Sequence, residues 1–96
     1  MSNLPVFIGY LPGDQGGRTN HAVFRFPNDY GASVIPDGIW FELAVLHFHG
    51  PAEHEHRLVY DTPVTSDVLR GLSVAEVAEE LDRIAALPRR VRGIRA

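Results

Sequence analysis

The chain has 96 residues, 45% of them hydrophobic and 22% charged, with a formal net charge of −3 and no cysteine. That size and composition describe one globular domain with a modest core. They exclude disulfide cross-links, thiolate metal sites and cysteine nucleophiles, and no apolar run is long enough to span a bilayer.

The opening Met1-Ser2-Asn3-Leu4-Pro5 lacks the basic flank and apolar stretch of a signal peptide, so a cytoplasmic location is expected. Residues 4–8 suit a short edge strand, where Pro5 is tolerated. Gly13-Asp14-Gln15-Gly16-Gly17-Arg18-Thr19 is a glycine-rich connector. It is not a phosphate loop, because it lacks the lysine and the helix that such a loop requires. His21 to Phe26 alternates and is rich in Val and Phe, which predicts a strand. Pro27-Asn28-Asp29-Tyr30-Gly31 is turn chemistry, and Ala32 to Ile35 is a second strand. Pro36-Asp37-Gly38 closes it with a hairpin signal.

Ile39 to His49 is the longest strand candidate and is apolar on both faces, as a central strand is. His56 to Tyr60 is predicted to return beside it. A four-residue loop, Gly50 to Glu53, would set His49 opposite His54, His47 opposite His56 and Val45 opposite Leu58. That register places four imidazoles on one face.

Beyond Asp61-Thr62-Pro63 the periodicity changes. Residues 66–70 are expected to form one helical turn ended by Gly71. The main helix follows with Ser73 as N-cap, Glu76 completing a capping box, and Leu72 with Val77 as a hydrophobic staple. Val74, Val77, Ala78, Leu81, Ile84 and Ala85 form its apolar stripe, Glu79 is spaced to pair with Arg83, and Pro88 ends it. The expected fold is therefore α+β: an antiparallel sheet of four to five strands followed by one C-terminal amphipathic helix. Residues 1–88 form the domain and 89–96 a basic, flexible tail.

Four features bear on function. The first is the pair of His-x-His motifs, His47, His49, His54 and His56. Imidazoles at opposed strand positions can converge on Zn²⁺, with Glu53 or Glu55 completing or orienting the site. The second is the tail: four of the nine basic residues, Arg89, Arg90, Arg92 and Arg95, lie in the last eight positions. Such a tail can contact phosphates, although the remaining body is acidic and repels nucleic acid. The third is the sheet face opposite the helix, where Trp40, Leu46 and Phe48 lack an evident cover. That predicts an interface, with a homodimer as its simplest form. The fourth is negative: there is no nucleophile elbow and no paired acid–base set.

Three strings also look familiar together. They are Asn20-His21-Ala22-Val23-Phe24-Arg25-Phe26-Pro27-Asn28-Asp29-Tyr30-Gly31-Ala32-Ser33-Val34, Trp40-Phe41-Glu42-Leu43-Ala44-Val45-Leu46, and Tyr60-Asp61-Thr62-Pro63-Val64-Thr65-Ser66-Asp67-Val68. Over residues 20–87 the chain resembles a family of small proteins of actinobacteria and their phages. The resemblance implies a phage or prophage accessory gene in a GC-rich host, in accord with the use of arginine alone as the basic residue. It implies no activity and no functional residues.

The leading expectation is thus a non-enzymatic accessory protein of phage or mobile-element origin, which acts by binding a host or phage protein and needs no cofactor. The alternative is a zinc-binding protein or small metalloenzyme using His47, His49, His54 and His56. A second alternative is nucleic-acid binding through Arg89, Arg90, Arg92 and Arg95.

Overall fold

The computed structural model of the protein describes residues 6–11, 21–52 and 54–90, with residues 6–11 described as backbone only. The glycine-rich connector, Glu53, Arg92 and Arg95 lie outside the described residues. The strands are β1 Val6–Leu11, β2 His21–Arg25, β3 Tyr30–Asp37, β4 Trp40–Phe48, β5 His56–Leu58 and β6 Leu69–Leu72, and the helix α1 is Val74–Ala85. The architecture is α+β as the sequence predicts, an antiparallel sheet followed by one C-terminal helix. The order is β1-β2-β3-β4-β5, with β6 also pairing β4. No described helix is long and apolar enough to cross a membrane.

The β3–β4 hairpin is the frame. Eight residue pairs run from Tyr30 opposite His47 to Asp37 opposite Trp40. Gly38 takes a φ of 64°, which glycine reaches without steric cost and which the tight turn requires. Alternation along these strands sends Ala32, Val34, Leu43 and Val45 to the helix side, where they form the main core with Phe26, Tyr30, Val59 and Ile84.

Three expectations are corrected. First, residues 66–70 do not begin a helical turn. Thr65 Oγ1 accepts from the Asp67 amide (3.1 Å) and Asp67 Oδ1 accepts from the Val68 amide (2.7 Å). These side-chain bonds satisfy the amides that a helix would have used. The chain then runs on as β6, because β5 covers only residues 46–48 of the β4 edge and leaves Phe41 to Leu43 open. Leu72 and Leu69 pair there, and Gly71, at φ 68°, accommodates the irregular step between them.

Second, the helix stripe is narrower than expected. Ile84 is buried and Val77, Leu81 and Ala85 pack on the core, whereas Val74 and Ala78 are exposed. The capping box forms as predicted, with Glu76 N donating to Ser73 Oγ (3.1 Å) and Ser73 N to Glu76 Oε1 (2.8 Å). Leu72 and Val77 both pack on the core, as a staple requires. Arg83 pairs with Glu80 (3.3 Å) rather than with Glu79.

Third, Leu46 and Phe48 are not an uncovered face. Each is 1% exposed within the single chain, in a second small core with Val23. The Arg25 guanidinium lies 4.7 Å over the Phe48 ring and the His56 ring sits 5.0 Å from it. The backbone gives way to this ring at Gly31, where an added Cβ would stand 2.7 Å from Phe48 Cε1 and 2.1 Å from the Phe24 carbonyl oxygen. Of the three side chains assigned to a dimer face, only Trp40 is exposed, at 48%.

Candidate anion-binding cleft

The β4–β5 connection is one residue longer than the sequence reading had it, and that residue decides the fate of the histidine cluster. His49 N donates to the Glu55 carbonyl (2.9 Å) and Glu55 N to that of Ala52 (3.0 Å), so residues 50–54 form the loop. The Glu55 carboxylate folds back into the loop and accepts from Ala52 N at 2.8 Å. A Cβ on Gly50 would lie 2.4 Å from Glu55 Oε1, so glycine is what admits that carboxylate.

The resulting pairs are Leu46 with Leu58, His47 with Arg57 and Phe48 with His56. A slip of one residue transfers every β5 side chain to the other face. His56 therefore stacks on Phe48, away from His47, and His54 is exposed in the loop. Val59, not Leu58, enters the core, its amide donating to the Val45 carbonyl (3.0 Å). Among the described residues no three His, Cys, Asp or Glu side chains are placed to hold a metal ion. The four histidines of the predicted zinc site do not converge, and the residues paired with His47 across the sheet are Tyr30 and Arg57.

What the end of the sheet assembles instead is a cleft of about 550 Å³, lined among the described residues by Arg25, Arg57, Arg89, Arg90, His47 and His49 and by one carboxylate, Asp29. They arrive from β2, the β2–β3 turn, β4, β5 and the segment after α1. Arg25 ends β2, where Nη2 donates to Asp29 Oδ1 (2.7 Å) and Nη1 to the Gly50 carbonyl (3.0 Å). Asp29 sits in the β2–β3 turn at φ 69°, a conformation that Asp tolerates better than most residues. The Asn28 side chain ties this turn to the end of α1, Nδ2 donating to the carbonyls of Ile84 (3.0 Å) and Leu87 (2.8 Å). That tie, together with the stop at Pro88, delivers the next two arginines to the cleft.

Arg89 donates to Asp29 Oδ2 and to the Pro27 carbonyl. Arg90 grips Asp61 through both Nη groups (2.7 and 3.1 Å) and lies 5.5 Å over the Tyr30 ring. The fold thus extends at least through Arg90, two residues past the boundary expected from the sequence. These two arginines belong to the body and not to a free tail.

Electrostatics follow from this crowding. Burial pushes the Asp29 carboxyl up, but the hydrogen bond from Arg25 and the charges of Arg89 and Arg25 outweigh it and hold Asp29 below its ordinary 3.8. The hydrogen bond from Arg90 does the same for the exposed Asp61. Burial leads in pushing the His47 imidazole below its usual 6.5, with Arg90, Arg57 and His49 adding to it and Asp29 opposing. Arg57 makes no hydrogen bond or ion pair among the described residues, and Arg90 Nε is buried without an acceptor.

The two depressed carboxyls fix a pH dependence. Their contribution is complete above the unfolded-state value and is lost only as the pH falls through the lower folded-state value. Arg89 and Arg90 are expected to stay docked down to about pH 4 and to detach below it. NMR shifts of their side-chain Nε–H groups followed against pH check this; release near neutrality would contradict it.

Of the residues that the sequence reading singled out, His47, His49, Arg89 and Arg90 meet in this cleft. Arg25, Asp29 and Arg57 were missed. The only local signal was Arg25 four residues before Asp29 across a turn; Arg57 carried none. Compared with known proteins, the chain matches no family model, no curated protein and no solved structure.

Proposed function

We propose that the protein is a non-enzymatic binding protein that recognises an anionic group on another molecule through the Arg25–Arg57–Arg89–Arg90 cleft. One observation carries the reading: among the described residues four guanidiniums and two imidazoles line the cleft with one carboxylate, Asp29, on a chain whose net charge is −3. Such concentration of one sign in a concave site raises local counter-ion concentration and on-rate. Arginine suits the task because its planar fork matches carboxylate and phosphate oxygens in pairs. The expected partner is a host or phage protein, or a small ligand, that bears the anion. The proposal includes a cytoplasmic setting, on the cysteine-free composition, and phage or mobile-element origin, on the three sequence strings.

The test is an NMR titration with sodium sulfate at low ionic strength. Saturable shifts are expected at His47, His49, Gly50 and Arg57, with none of comparable size at Arg70 and Arg83, which lie outside the cleft. Arg57→Glu is expected to weaken binding at least about tenfold by removing a fork that has no partner among the described residues and adding a repelling charge. Shifts spread evenly over all arginines would overturn the reading.

A further inference from the structure

The committed and uncommitted donors of the cleft differ, and the difference selects a ligand. Arg25 and Arg89 already share Asp29, and the Nη groups of Arg90 are given to Asp61. What remains among the described residues is the whole Arg57 fork on β5 and the His47 and His49 imidazoles on and just after β4. These donors are three side chains at the open end of the β4–β5 pair. A carboxylate offers two oxygens in one plane, and Asp29 shows how two guanidiniums exhaust them. A phosphoryl group offers three terminal oxygens pointing three ways.

Charge points the same way. Four guanidiniums against Asp29 and Asp61 leave an excess that a monoanion does not neutralise, whereas a monoester dianion matches it. Size does too: at about 550 Å³ the cleft falls within the roughly 300–1,000 Å³ of sites that hold small molecules, larger than one tetrahedral anion needs. The exposed Pro51 on its rim offers an apolar contact for the esterified group.

We propose that the anion this cleft is built for is a phosphomonoester: a terminal phosphoryl group held by Arg57, His47 and His49, with its ester substituent against the Gly50-Pro51 rim. This rests on the reading of the cleft as an anion site. The phosphodiesters inside a nucleic acid strand, with one charge and two ester arms, do not fit it. The same terminal group occurs on phosphorylated protein side chains and on free phosphate esters.

His47 is suited to such a ligand. The empty cleft holds it neutral, and a seated dianion favours its protonated, doubly donating form. A phosphomonoester also titrates near pH 6, so proton and ligand are exchanged in one range.

Calorimetry with phenyl phosphate, phenyl sulfate and benzoate tests the class at low salt and about pH 7.5, where the phosphate is a dianion and the other two are monoanions of similar shape. Phenyl phosphate is expected to bind at least about tenfold more tightly than either. Arg57→Ala and His47→Gln should each remove most of that preference, and Arg83→Ala should leave it intact. A phosphotyrosine peptide and adenosine 5′-monophosphate then separate the two sources; tighter binding of either supports the class and names its origin. Equal binding of the three phenyl-type anions would overturn the class while leaving the anion site standing. Absence of cleft binding by all of them would overturn both.

Discussion

Phe48→Ala is expected to lower the unfolding free energy by about 3–5 kcal/mol, the cost of deleting a fully buried aromatic ring. The ring is 1% exposed, wedged between the Arg25 guanidinium, the His56 ring and the notch at Gly31. The cavity left behind cannot collapse easily, since one of its walls is the backbone of β3. A small domain holds only about 5–15 kcal/mol in total, so the variant would be marginal. Urea denaturation at two protein concentrations is the measurement. The loss is expected to be the same at both, because the burial lies within one chain. Trp40→Ala, at a half-exposed position, should cost far less. Had Leu46 and Phe48 formed a dimer face, the loss would shrink with dilution instead, because the dimeric parent alone would lose stability. A loss under about 1 kcal/mol would show that the second core is not packed as described.

Anion affinity is expected to rise by about tenfold as the pH falls through the range just below 6.5. His47 is the cause. In the empty cleft burial and the neighbouring Arg90, Arg57 and His49 keep its pKa below that value, and Asp29 only partly opposes them. The other group packed on it is Tyr30, whose ring stands edge-on at 5.2 Å. A bound anion reverses the balance and raises the pKa, so binding takes up a proton between the empty and the bound values. Above both values there is no linkage, and below both the gain is complete.

In the protein without ligand the sign is the opposite. Neutral His47 costs stability as the pH falls below 6.5, because the unfolded chain accepts the proton first. Sulfate is the proper probe, since it does not itself titrate there. Calorimetry in two buffers of different ionisation enthalpy should report net proton uptake in this range. His47→Gln should retain the weaker, high-pH affinity and flatten the profile. A profile unchanged by that substitution would assign the linkage to another group.

The sequence by itself determined much of this protein. The capping residues Ser73 and Glu76, the glycine of the Asp37-Gly38 turn and the alternation of β2, β3 and β4 are signals a few residues long, and they specify helix, hairpin and strands directly. The α+β class follows from them. What they could not fix was anything that turns on one residue of loop or on contacts between distant segments. The folding of Glu55 into its own loop shifted β5 by one position and dispersed the predicted histidine site. An open stretch of β4 edge made a strand of Leu69–Leu72. Arg89 and Arg90 read as free charge in the chain, and only their partners, 60 and 29 positions away, convert them into the wall of a cleft. Short-range propensity carries no record of such pairings. Periodicity could find the imidazoles, but the company that His47 and His49 keep, guanidinium and not the other two histidines, was decided by tertiary structure.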